Sequence, residues 1–342
     1  MGTRGGCMGD DHYEVYGALG SPYSLKMRAI FRYRRLAHTW QAIGLNSAVR
    51  SKVKAPVIPI VRFPHDDWRN DSTPMIRALE NLHAERRVIP DDPADAFLAL
   101  LIEDMADEWG TKMMFHYRWA PEEDRDLNAF TLAQQALLGQ PRAMVDRAGA
   151  TMRDRQVGRM SLVGCTPENT PLIEETANRV LGLIDAHVPH GLWLFGERPS
   201  LADFGWYGQL SQLARDPTPR NLMRCEYPAA FTWVETLDDA SGLEPGAWRD
   251  PSAPPSAALA GFLTLASELY LPFLAENARA LVEGLSEFRL TLMGRPYAQA
   301  PFGYQAKCLG VLKGAFAALG ADAKARVEAA LAPGPGAAIL AG

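Results

Sequence analysis

The 342-residue chain has no basic excess: 35 Lys and Arg stand against 40 Asp and Glu, for a formal net charge of −5. Nothing is there to neutralise a phosphate backbone, so nucleic acid is not an expected partner. Only four cysteines occur, Cys7, Cys165, Cys225 and Cys308, too far apart for a CxxC pair or a zinc spacing. Reduced thiols in a cytoplasmic setting fit best, with Cys225 and Cys308 as buried apolar thiols. Residues 1–10 lack the apolar core of a signal peptide. They match a myristoylation pattern only at Gly2, because Gly6 stands where Ser or Thr belongs, and they read as a frayed terminus. No apolar run reaches the roughly 18–20 residues of a membrane span, so no membrane partner is expected. No internal repeat is visible. What the chain does have is a globular balance, 47% apolar and 22% charged, enough for buried cores in about two domains of roughly 150 residues.

The chain changes character near Pro90. Before it, residues 13–19 (YEVYGAL) read as a strand stopped by Gly20-Ser21-Pro22. Residues 24–36 follow as an amphipathic helix whose cations gather toward its C-terminal end, where they suit the dipole. Residues 38–43 read as a second strand and 57–63 (VIPIVRF) as a third, with Pro59 inside it, which requires an edge position or a special backbone role. Residues 66–70 make a turn and short strand. Asp71-Ser72-Thr73-Pro74 then opens a helix to about Arg86, with Ser72 or Thr73 as N-cap. The order is β-α-β followed by β-β-α. After Pro90 the pattern is helical: 94–117, 122–138, 143–158, 172–188, 200–214 and 227–239. Residues 241–255 read as a linker, 256–291 and 303–331 as further helices, and the last dozen as a frayed end. The expected units are 1–90, 91–240 and a helical extension, 241–342.

Three places before Pro90 can carry chemistry. Ser21 and Ser24 lie where a strand meets a helix N-terminus, a setting that favours an anion and lowers a thiol's pKa. There Ser21 would donate a hydrogen bond to a bound thiol; an ordinary capped turn is the plainer alternative. A cis bond before Pro59 would turn the backbone of Ile58 outward to pair with an extended peptide; the alternative is a bent edge strand. Ser72 at a helix start can bind a carboxylate and Asp71 an ammonium group, although helix caps are common. Together they describe a ligand with a thiol, a peptide backbone and an amino-acid head group, as glutathione has.

In these residues the first part of the chain resembles the thioredoxin-like domain of the glutathione S-transferase superfamily. Ser21-Pro22-Tyr23-Ser24 resembles the glutaredoxin CPYC with both sulfurs replaced by hydroxyls, and Ile58-Pro59-Ile60-Val61 resembles the family's V-P-x-L. Ser72 follows Pro59 at the family's spacing (72 − 59 = 13). Gly196-Glu197-Arg198-Pro199-Ser200-Leu201-Ala202-Asp203 resembles a G-x-x-x-S-x-A-D signature before a buried helix, read here as a capping box with Asp in place of Glu. The resemblance covers roughly residues 13–240. It implies an α/β plus all-α fold: a thioredoxin-like βαβ-ββα domain, an all-helical domain and, beyond the usual family length, a helical extension.

The resemblance also implies a serine-type glutathione transferase with glutathione as co-substrate, attacking a small apolar electrophile in detoxification, as a cytoplasmic homodimer paired near Asp71 and the early helices of the second domain. A non-catalytic glutathione-binding or scaffold protein is the alternative. Without the CPYC cysteines, a disulfide mechanism is not expected. By the same resemblance Tyr16 and Tyr23 are tyrosine candidates for the ligand, Tyr16 the weaker because it lies in the strand, and Ser21 is preferred ahead of Ser24 for the thiol contact. Phe115-His116-Tyr117-Arg118-Trp119 offers an aromatic wall for the electrophile, with core packing the commoner use of such a cluster. Glu103, Asp104, Asp107 and Glu108 read as a solvated or Arg-paired helix face rather than a metal site. Asn277 and Tyr304 would reach the site if the extension folds back.

Overall fold

The alternation of Tyr13–Gly17 (β1) separates two faces of a sheet. Tyr13 and Val15 enter the main core, while Tyr16 joins a smaller cluster with Ile43, Val49 and Ile60 on the other side. The computed structural model describes residues 12–332 and 334–342. Gly2, Gly6, Cys7 and the frayed terminus expected for 1–10 lie outside the described residues. The sheet has the order β2-β1-β3-β4, from His38–Ala42 (β2), Ile60–Phe63 (β3) and Asp67–Asn70 (β4). β1 runs parallel to β2 and antiparallel to β3, and β3 is antiparallel to β4. Helices Pro22–Tyr33 (α1) and Ser72–Leu82 (α3) complete the βαβ-ββα unit, with one short helix, Ser47–Arg50 (α2), that the sequence reading missed.

The third strand starts at Ile60, not Val57, so Pro59 stands just before the ladder, where its missing N–H costs no strand bond. The cations of α1 serve the fold more than the dipole. Lys26, Arg28 and Arg34 are buried; Arg28 and Arg32 pair with Asp238, and Arg34 pairs with Glu80 at 2.7 Å.

The helical part begins with Pro93–Met105 (α4), which continues through a π turn at Ala106–Gly110 into Thr111–Trp119 (α5). Then come Glu122–Ala136 (α6), Arg142–Val157 (α7), Thr170–His187 (α8), Leu201–Leu213 (α9), Pro217–Glu226 (α10) and Pro228–Asp238 (α11). Every residue of α9 is buried, the polar Asp203, Gln209, Ser211 and Gln212 included. Ser200 and Asp203 form the expected capping box at its start. Gly205 and Gly208 let α4 and α1 close on it: a Cβ on Gly208 would lie 2.9 Å from the Pro22 carbonyl, and one on Gly205 3.0 Å from Glu103 Cα. α9 is therefore the post against which the start of α1 is set.

Several expectations for the C-terminal third are corrected. Residues 241–255 are not a loose linker: Trp248 bridges to Gly196, and Arg249 donates to Asp95 at 2.7 Å. Ala257–Leu265 (α12), a π turn and Leu271–Val282 (α13) form one helix, and Phe288–Leu292 (β5), most of it expected as the end of that helix, pairs antiparallel with Arg295–Gln299 (β6) in a hairpin. Gly303–Ala317 (α14), Ala321–Leu331 (α15) and Gly336–Ala341 (α16) follow. The tail is docked rather than frayed: Leu340 is buried and Gly336 N–H donates to Ser267 Oγ at 3.0 Å. By length and composition the helix over Ala257–Val282 is apolar enough to cross a membrane, so the expectation that no stretch reaches that length is corrected; 67% of its apolar window is buried inside the fold. The extension shares the main core with the other two parts, through pairs such as Phe316 on Phe97 and Arg326 on Asp92.

Candidate active site

The register of the sheet brings the three sequence-chosen places to one edge. Tyr16 pairs with Ile60, and Ile60 with Asn70. One residue beyond that row lie Gly17, Pro59 and Asp71, so the turn to Ser21, the Ile58–Pro59 bond and Asp71-Ser72 leave the sheet side by side. The Ile58–Pro59 bond is cis. α1 and α3 both begin at this edge, so it carries the N–H groups that a helix leaves unpaired in its first turn. Asn70 ties the edge to the preceding loop by donating to the Ala55 carbonyl.

Ser21 is the N-cap of α1, half-buried, and its Oγ accepts from the Ser24 N–H at 3.3 Å. Because the oxygen is used as an acceptor, the hydroxyl proton remains to be donated. Ser24 has a different place. It is fully buried, its hydroxyl has no partner, and its Oγ would lie 2.9 Å from a Cβ on Gly17. Tyr23 also turns inward, donating to the Asp107 carbonyl at 3.0 Å and meeting Thr111 Oγ1 at 2.8 Å; burial raises its pKa well above the ordinary value. Tyr16 donates to Glu14 on the far face of the sheet and stacks near Trp68; burial raises its pKa to about 12.

The turn before Ser21 is clamped from the helical domain. Gln212 Nε2 donates to the Leu19 carbonyl at 3.3 Å, and Arg118 Nη1 donates to the Gly20 carbonyl at 2.9 Å. Arg118 is itself fixed by Asp216 (2.8 Å) and by Gln212 Oε1 (2.8 Å). Gln212 was missed because one glutamine inside a buried helix carries no pattern. Of the two readings of 115–119, core packing holds: His116, Tyr117 and Trp119 are buried, and Arg118 alone of the five lines the adjoining cavity. That cavity, about 170 Å³, lies between Leu19-Gly20, Arg118 and the face of α6 bearing Leu127, Thr131 and Leu132. A cavity of ~150 Å³ suffices for a benzene ring.

At the other end of the edge, Asp71 has φ 75, outside the usual range for a non-glycine residue, and is the N-cap of α3, yet its side chain caps nothing. Such backbone costs about 1–3 kcal/mol and collects at ligand sites. Ser72, expected as the N-cap, is instead the first helical residue and is buried. Tyr304 from α14 reaches Asp71, donating to Oδ2 at 3.4 Å. Asn277 does not reach the site; it is fully buried and holds the backbone of Phe302.

The acidic run on α4 is not a solvated face. Glu103 and Asp107 are buried against Lys26 Nζ, at 2.5 and 2.6 Å, and Thr73 donates to Glu103 at 2.6 Å. Burial alone would lower the Lys26 pKa; the two carboxylates outweigh it and hold the ammonium charged. Burial pushes Asp104 and Glu108 up to about 7, although Tyr270 donates to Asp104 at 2.6 Å. Lys26 thus docks α1 onto α4 and keeps the two halves of the site in register. Among the described residues no group of three or more His, Cys, Asp or Glu is arranged to hold a metal. Cys165 and Cys308 are buried free thiols; Cys225, expected to be buried, is exposed.

A family profile for the glutathione S-transferase N-terminal domain matches residues 15–87, and one for the glutathione S-transferase C-terminal domain matches residues 166–236. No curated protein matches the chain. Among solved structures, a glutathione S-transferase from Methylobacterium radiotolerans JCM 2831 in complex with glutathione sulfonate is 15% identical at TM-score 0.42, over 70% of this chain and 98% of its own. One from Rhodospirillum rubrum F11 is 16% identical at TM-score 0.42, over 74% and 92%. One from Methylobacillus flagellatus KT with glutathione bound is 18% identical at TM-score 0.41, over 67% and 96%.

Proposed function

The chain belongs to the glutathione S-transferase superfamily, and from that premise we propose that it is a serine-type transferase that binds glutathione at the sheet edge and activates its thiol. The observation that carries this reading is the convergence of Ser21, Ile58-Pro59 and Asp71-Ser72 on one edge with two helix N-termini. The bound thiol gives its proton to solvent. The Ser21 hydroxyl and the positive end of α1 stabilise the thiolate that remains. The thiolate sulfur then bonds to an electrophilic carbon, and the leaving group departs with its electron pair. The cavity beside Leu19-Gly20 takes a small, largely apolar electrophile, and disposal of such compounds is the role proposed. Ser21 is preferred to Ser24 because Ser24 is fully buried.

A cytoplasmic setting is proposed because an exposed free thiol at Cys225 suits a reducing compartment. The homodimer implied by the family resemblance is left out of the proposal, because α14 and α15 pack on α4 beside Asp71, where that pairing would lie. The test is a thermal shift with glutathione followed by turnover on a panel of alkyl and aryl electrophiles. Stabilisation with turnover supports the reading; stabilisation without turnover leaves a glutathione-binding protein; neither removes glutathione.

A further inference from the structure

We propose that the C-terminal extension is part of the ligand site, with Tyr304 acting as a binding residue that closes, with Asp71, over the α-ammonium of the ligand's amino-acid head group. This rests on the glutathione reading above and adds the residue that closes over the head group. Asn277 fixes the start of α14 from below: its Nδ2 donates to the Phe302 carbonyl at 3.1 Å, and its Oδ1 accepts from the Phe302 N–H at 2.8 Å. That double bond, made by a fully buried side chain, sets Tyr304 two residues later. The Tyr304 hydroxyl then donates to Asp71 Oδ2 at 3.4 Å, while 42% of the residue stays exposed.

Asp71 is held in unusual backbone with its carboxylate unused by the helix it caps. A carboxylate and a phenol oxygen are both acceptors for an ammonium group, and an ammonium has three protons to give. While its proton goes to Asp71, the phenol oxygen is left to accept. Tyr23, which the sequence nominates for the ligand, donates its hydroxyl inward to Asp107, so Tyr304 is the phenol that faces the head group. The Lys307 ammonium lies 5.3 Å from its ring centroid, holding the ring from the helix side.

The test is calorimetric titration of the full chain with glutathione and with the analogue lacking only the γ-glutamyl amino group, for wild type, Tyr304→Phe and Tyr304→Ala. Tyr304→Phe keeps the ring and the fold, and melting curves check this for both variants. The expected result is an affinity for glutathione about 5–10-fold weaker in Tyr304→Phe, no change for the des-amino analogue, and an effect non-additive with Asp71→Asn. Unchanged glutathione affinity in both Tyr304 variants, or equal losses for the two ligands, would overturn the proposal. Absence of saturable glutathione binding by the wild type would overturn the reading beneath it as well, and is distinct from the other outcomes.

Discussion

Replacing Ser21 separates two roles that meet on one hydroxyl. Its oxygen caps α1 by accepting from the Ser24 N–H at 3.3 Å, and its proton is placed to bind the thiolate. Loss of a Ser N-cap to Ala costs ~0.5–2 kcal/mol, whereas Gly at the same position costs a few tenths; the long bond here puts Ala near the lower end. A hydrogen bond to a charged group contributes about 1.5–3 kcal/mol, and at 1.36 kcal/mol per pKa unit its loss raises the bound thiol by about 1–2 units. Turnover at neutral pH should therefore fall about 10–100-fold in both Ser21→Ala and Ser21→Gly, while only Ser21→Ala loses measurable melting temperature. Ser24→Ala is the control. It removes a fully buried hydroxyl that has no partner, and such a group costs about 1–3 kcal/mol to leave unsatisfied, so this variant should melt no lower than wild type and keep its turnover. Steady-state kinetics and melting curves of the three variants decide the matter. Turnover intact in Ser21→Gly, or lost in Ser24→Ala, would refute the assignment within the turn.

Ser72→Ala should raise KM for glutathione with little change in kcat, because it holds a part of the ligand that does not react; a fall in kcat at unchanged KM would contradict this. Stability should rise as pH falls from 8 toward 5.5. Burial raises Asp104 and Glu108 to about 7 and Asp203 to about 6, so the fold holds their protons more tightly than the unfolded chain does, and each contributes more as pH drops toward its unfolded value. The lowered pKa values of His38 and, at the upper end of that window, of Lys112 (about 8), both from burial, oppose this. Melting curves should show the rise, reduced in Asp104→Asn; a fall over that window would count against the buried-acid description. Sedimentation at micromolar concentration should read a monomer, since α14 and α15 occupy the α4 face; a dimer mass would show that another face pairs.

The sequence was readable where local chemistry and spacing decide the structure. The Ser200–Asp203 capping box, the Ser21 turn and the Pro59-to-Ser72 spacing all lie within short stretches, and each took its expected place at a helix start or the sheet edge. It was opaque where distant segments decide. The carboxylates of α4 and the π turn after it are patterned like a solvated face, and only the arrival of Lys26 from α1 and Tyr270 from the π turn before α13 buries them. The aromatic run at 115–119 became core for the same reason. The β5–β6 hairpin was available to closer reading: FRLTL alternates, and Met293-Gly294, both at positive φ, supply its two-residue turn. Arg118 and Gln212 carry no local pattern at all; their roles exist only once α5 and α9 bring them to the carbonyls of Gly20 and Leu19.

Thiol activation at this edge is tested most directly by titrating the thiolate absorbance of glutathione bound to the wild-type chain. A free cysteine thiol ionises near ~8.5. With the Ser21 hydroxyl and the start of α1 stabilising the anion, the bound thiol should titrate at least about one unit lower, with the shift largely lost in Ser21→Ala. A bound thiol that titrates with the free one, or a lowered value unchanged in Ser21→Ala, would contradict the serine-based account.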